Sequence, residues 1–383
     1  MINSKADVVI IGGGVIGTSI AYHLARRKIK VTLLEKDDLA SASSGSCDGL
    51  IFLQTKKPGI HLQMAIKSRG YFEQLQQDLP VDIEYEACGG MVVIETEGEL
   101  DSMRTFVEEQ QRIGLDVSLL DIKEARYIEP HLCEDIMGAT YSALDGKVNP
   151  IALTYGFALG ARQHKANIIT GATVKGLTVV NNRIKYVETE NERFEAPIFV
   201  NAAGIYAPKI GKQIGVIIPI TPRRGQILVT EFTRPLVRLA MVSAKYIATK
   251  FNSDFSSAEG EGVSIDQTVG GNFLLGSTRE FVGFNNRTSL QGIRRIADQS
   301  GRLIPDLRRL HVIRSFAGLR PYTPDGLPIL GPVEGLDGLI MAAGHEGDGI
   351  ALSPITGDLI AQLISEGSAS IPLGEFRLER FMK

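Results

Sequence analysis

Four consecutive β-branched residues, Val8, Val9, Ile10 and Ile11, run straight into Gly12, Gly13, Gly14, Val15, Ile16 and Gly17. No other stretch narrows the choice of fold as much. The apolar run reads as a buried strand, and Val15 to Arg27 reads as a helix opening from a glycine turn. A second apolar run, Val31 to Leu34, ends on Glu35, eighteen residues after Gly17. Strand, glycine turn, helix, strand and acid in that order predict a nucleotide-binding βαβ unit. Gly12 would make the tight turn, Gly14 would let the backbone approach a pyrophosphate, and Gly17 would let the helix pack on the strand. The phosphates would sit on the positive end of the helix. Glu35 suits a ribose 2′-hydroxyl and repels a 2′-phosphate, which disfavours NADP. The unit alone does not separate FAD from NAD.

At 383 residues the chain is long for one core, so two domains are expected. The 44% hydrophobic residues, 22% charged residues and net charge of −3 argue against a nucleic-acid surface or a polybasic membrane anchor. No apolar run approaches the roughly 20 residues that span a bilayer. Lys5 and Asp7 precede the first strand directly, unlike a signal peptide. Cys47, Cys88 and Cys133 are odd in number and widely spaced, with no zinc or iron–sulfur pattern. Reduced thiols and a cytoplasmic location are expected.

Along the chain, Ala40 to Gly49 is a run of small residues suited to lie against a large flat ligand. Helices are expected over Leu62 to Leu79, Glu97 to Ile113, Asp121 to Glu129, Ile151 to His164 and Leu290 to Leu303. Strands are expected over Met91 to Ile94, Asn167 to Thr170, Ala172 to Val180, Arg183 to Thr189 and Arg193 to Val200. The last of these leaves into Asn201, Ala202, Ala203 and Gly204, a second place where backbone meets a nucleotide. From Ile217 to Phe281 the pattern is β, with strands over Gln226 to Thr230, Tyr246 to Phe251, Val263 to Thr268 and Asn272 to Ser277. Ser353 and Pro354 read as the N-cap and first residue of a final helix ending at Gly367. The nucleotide domain is thus expected to be assembled from three separated pieces, with a β-rich module built from the insertions.

Two C-terminal motifs, Phe316 to Gly331 (FAGLRPYTPDGLPILG) and Ala343 to Gly357 (AGHEGDGIALSPITG), join the glycine start, the serine-rich run and Asn201 to Gly204. In order and spacing the whole set resembles the D-amino acid oxidase group of flavoproteins, with glycine oxidase and sarcosine oxidase nearest. The resemblance implies an α/β fold. A Rossmann-type FAD-binding domain would comprise 1–85, 145–215 and 315–383. An α+β substrate domain with a large antiparallel sheet would comprise 86–144 and 216–314. It implies non-covalent FAD, with Gly12, Gly14, Val15, Ile16, Gly17, Glu35 and Lys36 around its ADP half. Ser43, Ser44, Cys47, Asp48 and Gly49 would pass beside the ribityl chain and flavin. The Val174 backbone would meet adenine, and Ala203, Gly204 and Gly318 would lie against the cofactor. Gly344, His345, Glu346, Gly347, Asp348, Gly349 and Ile350 would present backbone N–H groups to the flavin N1–C2=O edge, where negative charge gathers on reduction. Arg320 would pair with a substrate carboxylate through its bidentate fork. Tyr246 would face the flavin from the β-sheet wall, and His345 is a weaker candidate for a chemical role. Hydride transfer from the amine-bearing carbon to flavin N5 then needs no side-chain base, only an oriented, dry site.

Three departures sharpen the expectation. Glycine oxidase has phenylalanine, arginine and asparagine after the motif histidine, where this chain has Glu346, Gly347 and Asp348. Acids there would oppose a reduced flavin, so both are expected to face solvent or cap turns. Cys47-Asp48-Gly49 and the His345 to Gly349 turn look more like the catalytic subunits of hydrogen cyanide synthase and D-hydroxyproline dehydrogenase. Those enzymes pass electrons to companion subunits or quinones. The oxygen-activating lysine of sarcosine oxidase is replaced by an apolar residue near Leu274, and Ser315 and Phe316 stand where its flavin-linking cysteine would be. A dehydrogenase acting on a small amino or imino acid (glycine, sarcosine, a D-amino acid or a proline derivative) is therefore preferred to an oxygen-using oxidase. Expected partners are that substrate, with companion electron-transfer subunits or a second copy of the chain, and a peripheral membrane location through such a complex stays open. The insertion 252–262 reads as a mobile loop, with a lid or docking role as the alternatives. A flavin-binding sensor or assembly subunit is the reading from another class, and the carboxylate clamp at Arg320 argues against it.

Overall fold

The computed structural model describes residues 2–251 and 262–382. The insertion 252–262 therefore lies, but for Gly262, outside the described residues. At the centre stands a six-stranded sheet in the order Ile329–Pro332, Leu339–Ala343, Ile198–Asn201, Val8–Ile11, Val31–Leu34, Asn167–Ile169. Its strands run parallel except at the edge, where Ile329–Pro332 and Leu339–Ala343 are antiparallel. Parallel strands are covered on both faces, which is why they read as unbroken apolar runs. Val8 and Ile10 point to a core shared with helices Val15–Arg26, Pro150–Gln163 and Gly349–Glu366. Val9 and Ile11 point to the opposite core, shared with Ile184, Val187 and Phe194. That second core is roofed by a four-stranded sheet, Gly176–Val180, Arg183–Glu188 and Glu192–Glu195, which Ile2–Lys5 joins in parallel.

An eight-stranded sheet forms the other layer, in the order Val312–Tyr322, Thr221–Thr230, Phe273–Gly276, Ser264–Gln267, Ala240–Ser243, Gly90–Ile94, Gly138–Ser142, Ser118–Leu120. It is antiparallel apart from the pairing of Ala240–Ser243 with Gly90–Ile94. Helix Leu290–Leu303 packs on one face through Ile296 and Leu303. No helix among the described residues is long and apolar enough to cross a membrane.

The predicted helices at Glu97–Ile113 and Leu290–Leu303 form with those bounds. Elsewhere the local reading fails for identifiable reasons. The helix expected over Leu62 to Leu79 is two helices, Ile60–Arg69 and Phe72–Asp78, broken where Gly70 turns the chain and buries Phe72 completely. The strand expected over Arg193 to Val200 is two strands in different sheets, Glu192–Glu195 and Ile198–Asn201. Pro197 stands between them and has no N–H to continue a ladder. Tyr246 to Phe251 is not a strand but part of helix Ala244–Phe251, whose Ala244, Tyr246 and Ile247 all enter one apolar cluster. A short apolar run carries too few residues to distinguish the two periods. Ser353 and Pro354 do not start the last helix, which runs Gly349–Glu366 with Asp348 at its N-cap. Pro354 lies inside it.

Helix Val15–Arg26 is buried along nearly its whole length, and two glycines make that possible. A Cβ on Gly17 would lie 2.0 Å from the Gly12 carbonyl oxygen, and one on Gly357 would lie 2.2 Å from Ser19 Oγ. Strand and neighbouring helix thus both approach at backbone distance. In an exposed helix alanine outranks glycine by about 1 kcal/mol. Here Gly17→Ala is expected to destabilise by roughly 1–3 kcal/mol through overpacking. A thermal melt of holoprotein reads this, and an unchanged or raised Tm would contradict the close contact.

Candidate active site

One large cleft, with about 1780 Å³ of empty space partly open to solvent, runs along the carboxyl ends of the parallel strands. In open α/β sheets ligands lie at this edge, where the strand order reverses. Here the reversal falls at Val8–Ile11, between Ile198–Asn201 and Val31–Leu34.

At one end the glycine turn is held by backbone. Gly12 has φ +115°, and a Cβ there would meet the Ala202 carbonyl oxygen at 2.5 Å. Glu35 is buried, with Oε2 accepting the Gly13 N–H at 2.6 Å and Oε1 accepting the Asp37 N–H at 2.9 Å. Ser44 Oγ accepts the Val15 N–H at 3.0 Å, which seats the small-residue run on the first turn of the helix. The Ser43 hydroxyl donates to the Leu319 carbonyl, and Gly318 admits the Ser46 carbonyl oxygen where a Cβ would stand 2.1 Å from it. The N-terminal and C-terminal motifs thus close on each other across the cleft.

The other end is built from the eight-stranded sheet and the turn after Leu339–Ala343. Arg223 and Arg320 are directly opposite in the antiparallel pair, as are Gly225 and Gly318 one step along the same face. Opposed like charges on a sheet are destabilising, and Glu346 answers them. Its Oε1 accepts from Arg223 Nη2 and lies 3.9 Å from Arg320 Nε. Burial pulls the Arg223 guanidinium down from its ordinary range, with Glu346 opposing and the neighbouring Arg279 and Arg320 adding to the fall. Arg320 lies over Gly225, where a Cβ would strike its guanidinium at 2.3–2.5 Å, and donates to the Thr278 carbonyl at 3.0 Å and to Ser277 Oγ. Tyr246 reaches the same place from its helix. A Cβ built on Gly347 would be 3.6 Å from Arg320 Nε and 4.0 Å from the Tyr246 hydroxyl.

Both acids of the His345 to Gly349 turn, expected to face solvent or cap turns, are buried: Glu346 Oε2 accepts the Gly347 N–H within the turn, and Asp348 stands at the N-cap of the last helix without capping through its side chain. Glu346 has φ +50°, and its N–H donates to the Pro321 carbonyl at 3.1 Å. Asp348 turns away from the cleft to Lys56 Nζ at 2.7 Å and His61 Nε2 at 3.1 Å, all three almost fully buried. Lys56 also donates to the Phe52 carbonyl at 2.6 Å. His345 is 3.1 Å from Thr356 Oγ1, and burial drops its pKa to about 3, so the ring is neutral. Burial pushes the Cys47 thiol far above the thiolate range.

Of the residues singled out in the sequence, Gly12, Gly14, Val15, Ile16, Glu35, Lys36, Ser43, Ser44, Cys47 and Asp48 line the cleft. So do Val174, Ala203, Gly204, Tyr246, Gly318, Arg320, Gly344, His345, Glu346, Gly347, Gly349 and Ile350. Three do not: Gly17 faces the strand from within its helix, Gly49 abuts the Val148 carbonyl, and Asp348 points behind the turn. Sequence reading missed Tyr206, Lys209 and Gln213 on the wall, and Lys56, His61, Arg223 and Arg279 behind it. Tyr206, two residues after Gly204, had a positional signal. Lys56 and His61 had none.

The glycine cradle, the fixed acid and a cleft lined from Gly12 and Glu35 to Tyr246 and Arg320 fit a dinucleotide. A family model described as FAD dependent oxidoreductase matches residues 7–363, so the chain belongs to that family of FAD-dependent enzymes. It is 31% identical to the hydrogen cyanide synthase subunit HcnC of Pseudomonas protegens, over 98% of this chain and 96% of that protein. Among solved structures, glycine oxidase from Geobacillus kaustophilus superposes with a TM-score of 0.89 at 29% identity, covering 99% of this chain and 100% of that one. L-proline dehydrogenase from P. horikoshii superposes with a TM-score of 0.91 at 26% identity, covering 100% and 99%.

Removing one member of a buried ion pair leaves the other uncompensated, at about 3–5 kcal/mol. Asp348→Asn is expected to destabilise by that much, and Lys56→Met added to it should recover most of the loss. A double-mutant cycle in urea checks this; additive losses would mean the pair carries no coupling.

Proposed function

We propose that this enzyme oxidises the C–N bond of a small amino or imino acid and hands the electrons to a carrier other than oxygen. The observation that carries the substrate class is the meeting of Arg320 and Tyr246 beside the Gly347 turn, at the end of the cleft built from the eight-stranded sheet. A guanidinium there offers a carboxylate a two-pronged, charge-assisted contact. Bound FAD supplies the chemistry of accepting a hydride at N5 from the carbon that bears the nitrogen.

The protein's part is binding, orientation and dryness. Gly12, Gly14 and the first turn at Val15 and Ile16 would hold the pyrophosphate, Glu35 the ribose, and Ala203, Gly204 and Val174 the adenine side. The first turn of Gly349–Glu366 would bring its positive end to the flavin edge. On this reading 1–85, 145–215 and 315–383 serve the cofactor, and 86–144 and 216–314 the substrate. The acceptor assignment draws support from the apolar Leu274, from the dehydrogenase that superposes on the chain, and from the relative named as a synthase subunit. A companion subunit is proposed on the same ground, with action in the cytoplasm or at a membrane face through that complex. An oxygen-using oxidase is the second reading, favoured by the superposition with glycine oxidase.

Anaerobic mixing with glycine, sarcosine, D-proline and D-hydroxyproline, followed by air, tests the proposal. Loss of the yellow band that persists in air supports a dehydrogenase, and prompt recovery with peroxide makes it an oxidase. If no amine bleaches the band, the catalytic reading fails. His345 is neutral from about pH 3 upward, Glu346 is held by Arg223, and Asp48 accepts from Ser264 Oγ. The bleaching rate should therefore rise with pH as the substrate's own ammonium loses its proton, and the profile should move when a substrate of different amine pKa is used. A fixed enzyme pKa for all substrates would show a side-chain base at work. Arg320→Ala is expected to weaken carboxylated substrates by roughly ten- to a hundred-fold with FAD retained. Unchanged half-saturation in the same titration would remove Arg320 from the carboxylate site.

A further inference from the structure

Arg279 follows the strand Phe273–Gly276 and is 7% exposed. Its guanidinium lies 4.0 Å from the centroid of the Tyr246 ring. Nε, Nη1 and Nη2 are all buried without a hydrogen-bond partner. Its neighbours are provided for. Arg224 is held by both oxygens of Glu280 at 2.8 and 2.9 Å, Arg223 by Glu346, and Arg320 by Ser277 and Thr278. Stacking on a phenol recovers part of the cost of burying a cation, but an unpaired buried charge stays expensive.

Arg279, Asp48, Arg320 and Glu346 act on the Tyr246 hydroxyl, and Arg223 is coupled to Glu346, Arg279 and Arg320. Glu346 lies against both Arg223 and Arg320, and of these three guanidinium groups Arg279 is the one without a carboxylate partner among the described residues. The uncompensated charge is therefore that of Arg279. Arg279 and Tyr246 are both buried, so that charge acts across the ring with little screening. A single carboxylate at Arg320 and the Tyr246 hydroxyl would complete the set, whereas a second would overshoot it.

Building on the amino-acid reading above, we propose that Arg279 is a positioning residue that sets the charge of the substrate end. Acting through the Tyr246 ring, it makes the site select monocarboxylates over both neutral analogues and dicarboxylates. The same charge costs the ligand-free protein stability.

The test uses holoenzyme and three probes without an oxidisable amine, acetate, acetamide and malonate, read by perturbation of the flavin spectrum. Wild type is expected to bind acetate more tightly than either of the others. Arg279→Met should weaken acetate by roughly ten-fold or more while leaving acetamide unchanged. It should also raise the Tm of ligand-free holoenzyme, which loss of a merely structural residue would lower. Arg279→Lys keeps the charge and should keep most of the acetate affinity, and it serves alone if the methionine variant does not fold. Equal weakening of acetate and acetamide, a lysine variant as weak as methionine, or malonate tighter than acetate would overturn the proposal. Failure of wild type to bind acetate while amines still bleach the flavin would also overturn it, and would leave the amine chemistry standing. Failure of both would end the amino-acid reading itself.

Discussion

The contact between Gly17 and the carbonyl oxygen of Gly12 is the constraint on which the cleft depends. It allows the helix Val15–Arg26 to lie on its own strand at backbone distance, so the first turn of the helix opens directly at the sheet edge. Everything at the nucleotide end is referred to that turn. Gly13 N–H orients Glu35, and Val15 N–H orients Ser44. Gly357 then brings the last helix against the first, and Ser19 Oγ donates to the Ser353 carbonyl at 2.8 Å. Two segments more than 300 residues apart are thereby fixed relative to each other, with the start of each helix on one cleft.

The opposite end is governed by charge rather than by backbone approach. Two acids two residues apart in one turn are sent opposite ways, Glu346 to Arg223 and Asp348 to Lys56 and His61. If the turn faces the flavin edge as proposed, where negative charge gathers on reduction, either acid would be unfavourable if left unpaired. Each is neutralised by a cation from a different part of the chain, so the turn can present backbone without a net negative field. The left-handed φ of Glu346 fits this account, because strain of this kind persists where surrounding bonds over-determine the geometry.

Much of this was legible in the sequence where local pattern and tertiary outcome coincide. The βαβ start, the two long amphipathic helices and most cleft-lining residues follow from period, glycine spacing and motif. Legibility failed where the deciding partner is distant in sequence. Nothing near Lys56 signals that its ammonium will be buried, since Asp348 lies almost 300 residues on. Tyr246 was placed on the cleft but on the wrong element, because four apolar residues in a short run satisfy either period. The strand around Pro197 was read through the proline, although the missing N–H marks where the chain changes sheets. The acids of the His345 turn were assigned to solvent or to turn caps because an acid is not buried by default, and only the sheet register reveals two arginines waiting opposite.

Pro354 illustrates how a local rule can point to the right chemistry and the wrong boundary. Serine followed by proline is a strong helix start, yet the helix begins five residues earlier, at Gly349. The proline removes the N–H that would have bonded the Ile350 carbonyl, and Ser353 Oγ donates to that carbonyl at 2.9 Å in its place. The exchange lets a proline sit inside a buried helix, and the extra turn it leaves in front consists of Gly349, Ile350, Ala351 and Leu352. That turn carries no acid, and Gly349 and Ile350 line the cleft. A helix starting at Ser353 would have its positive end buried in the core beside helix Val15–Arg26. Starting at Gly349, it delivers that end to the cleft, where anion stabilisation has a use.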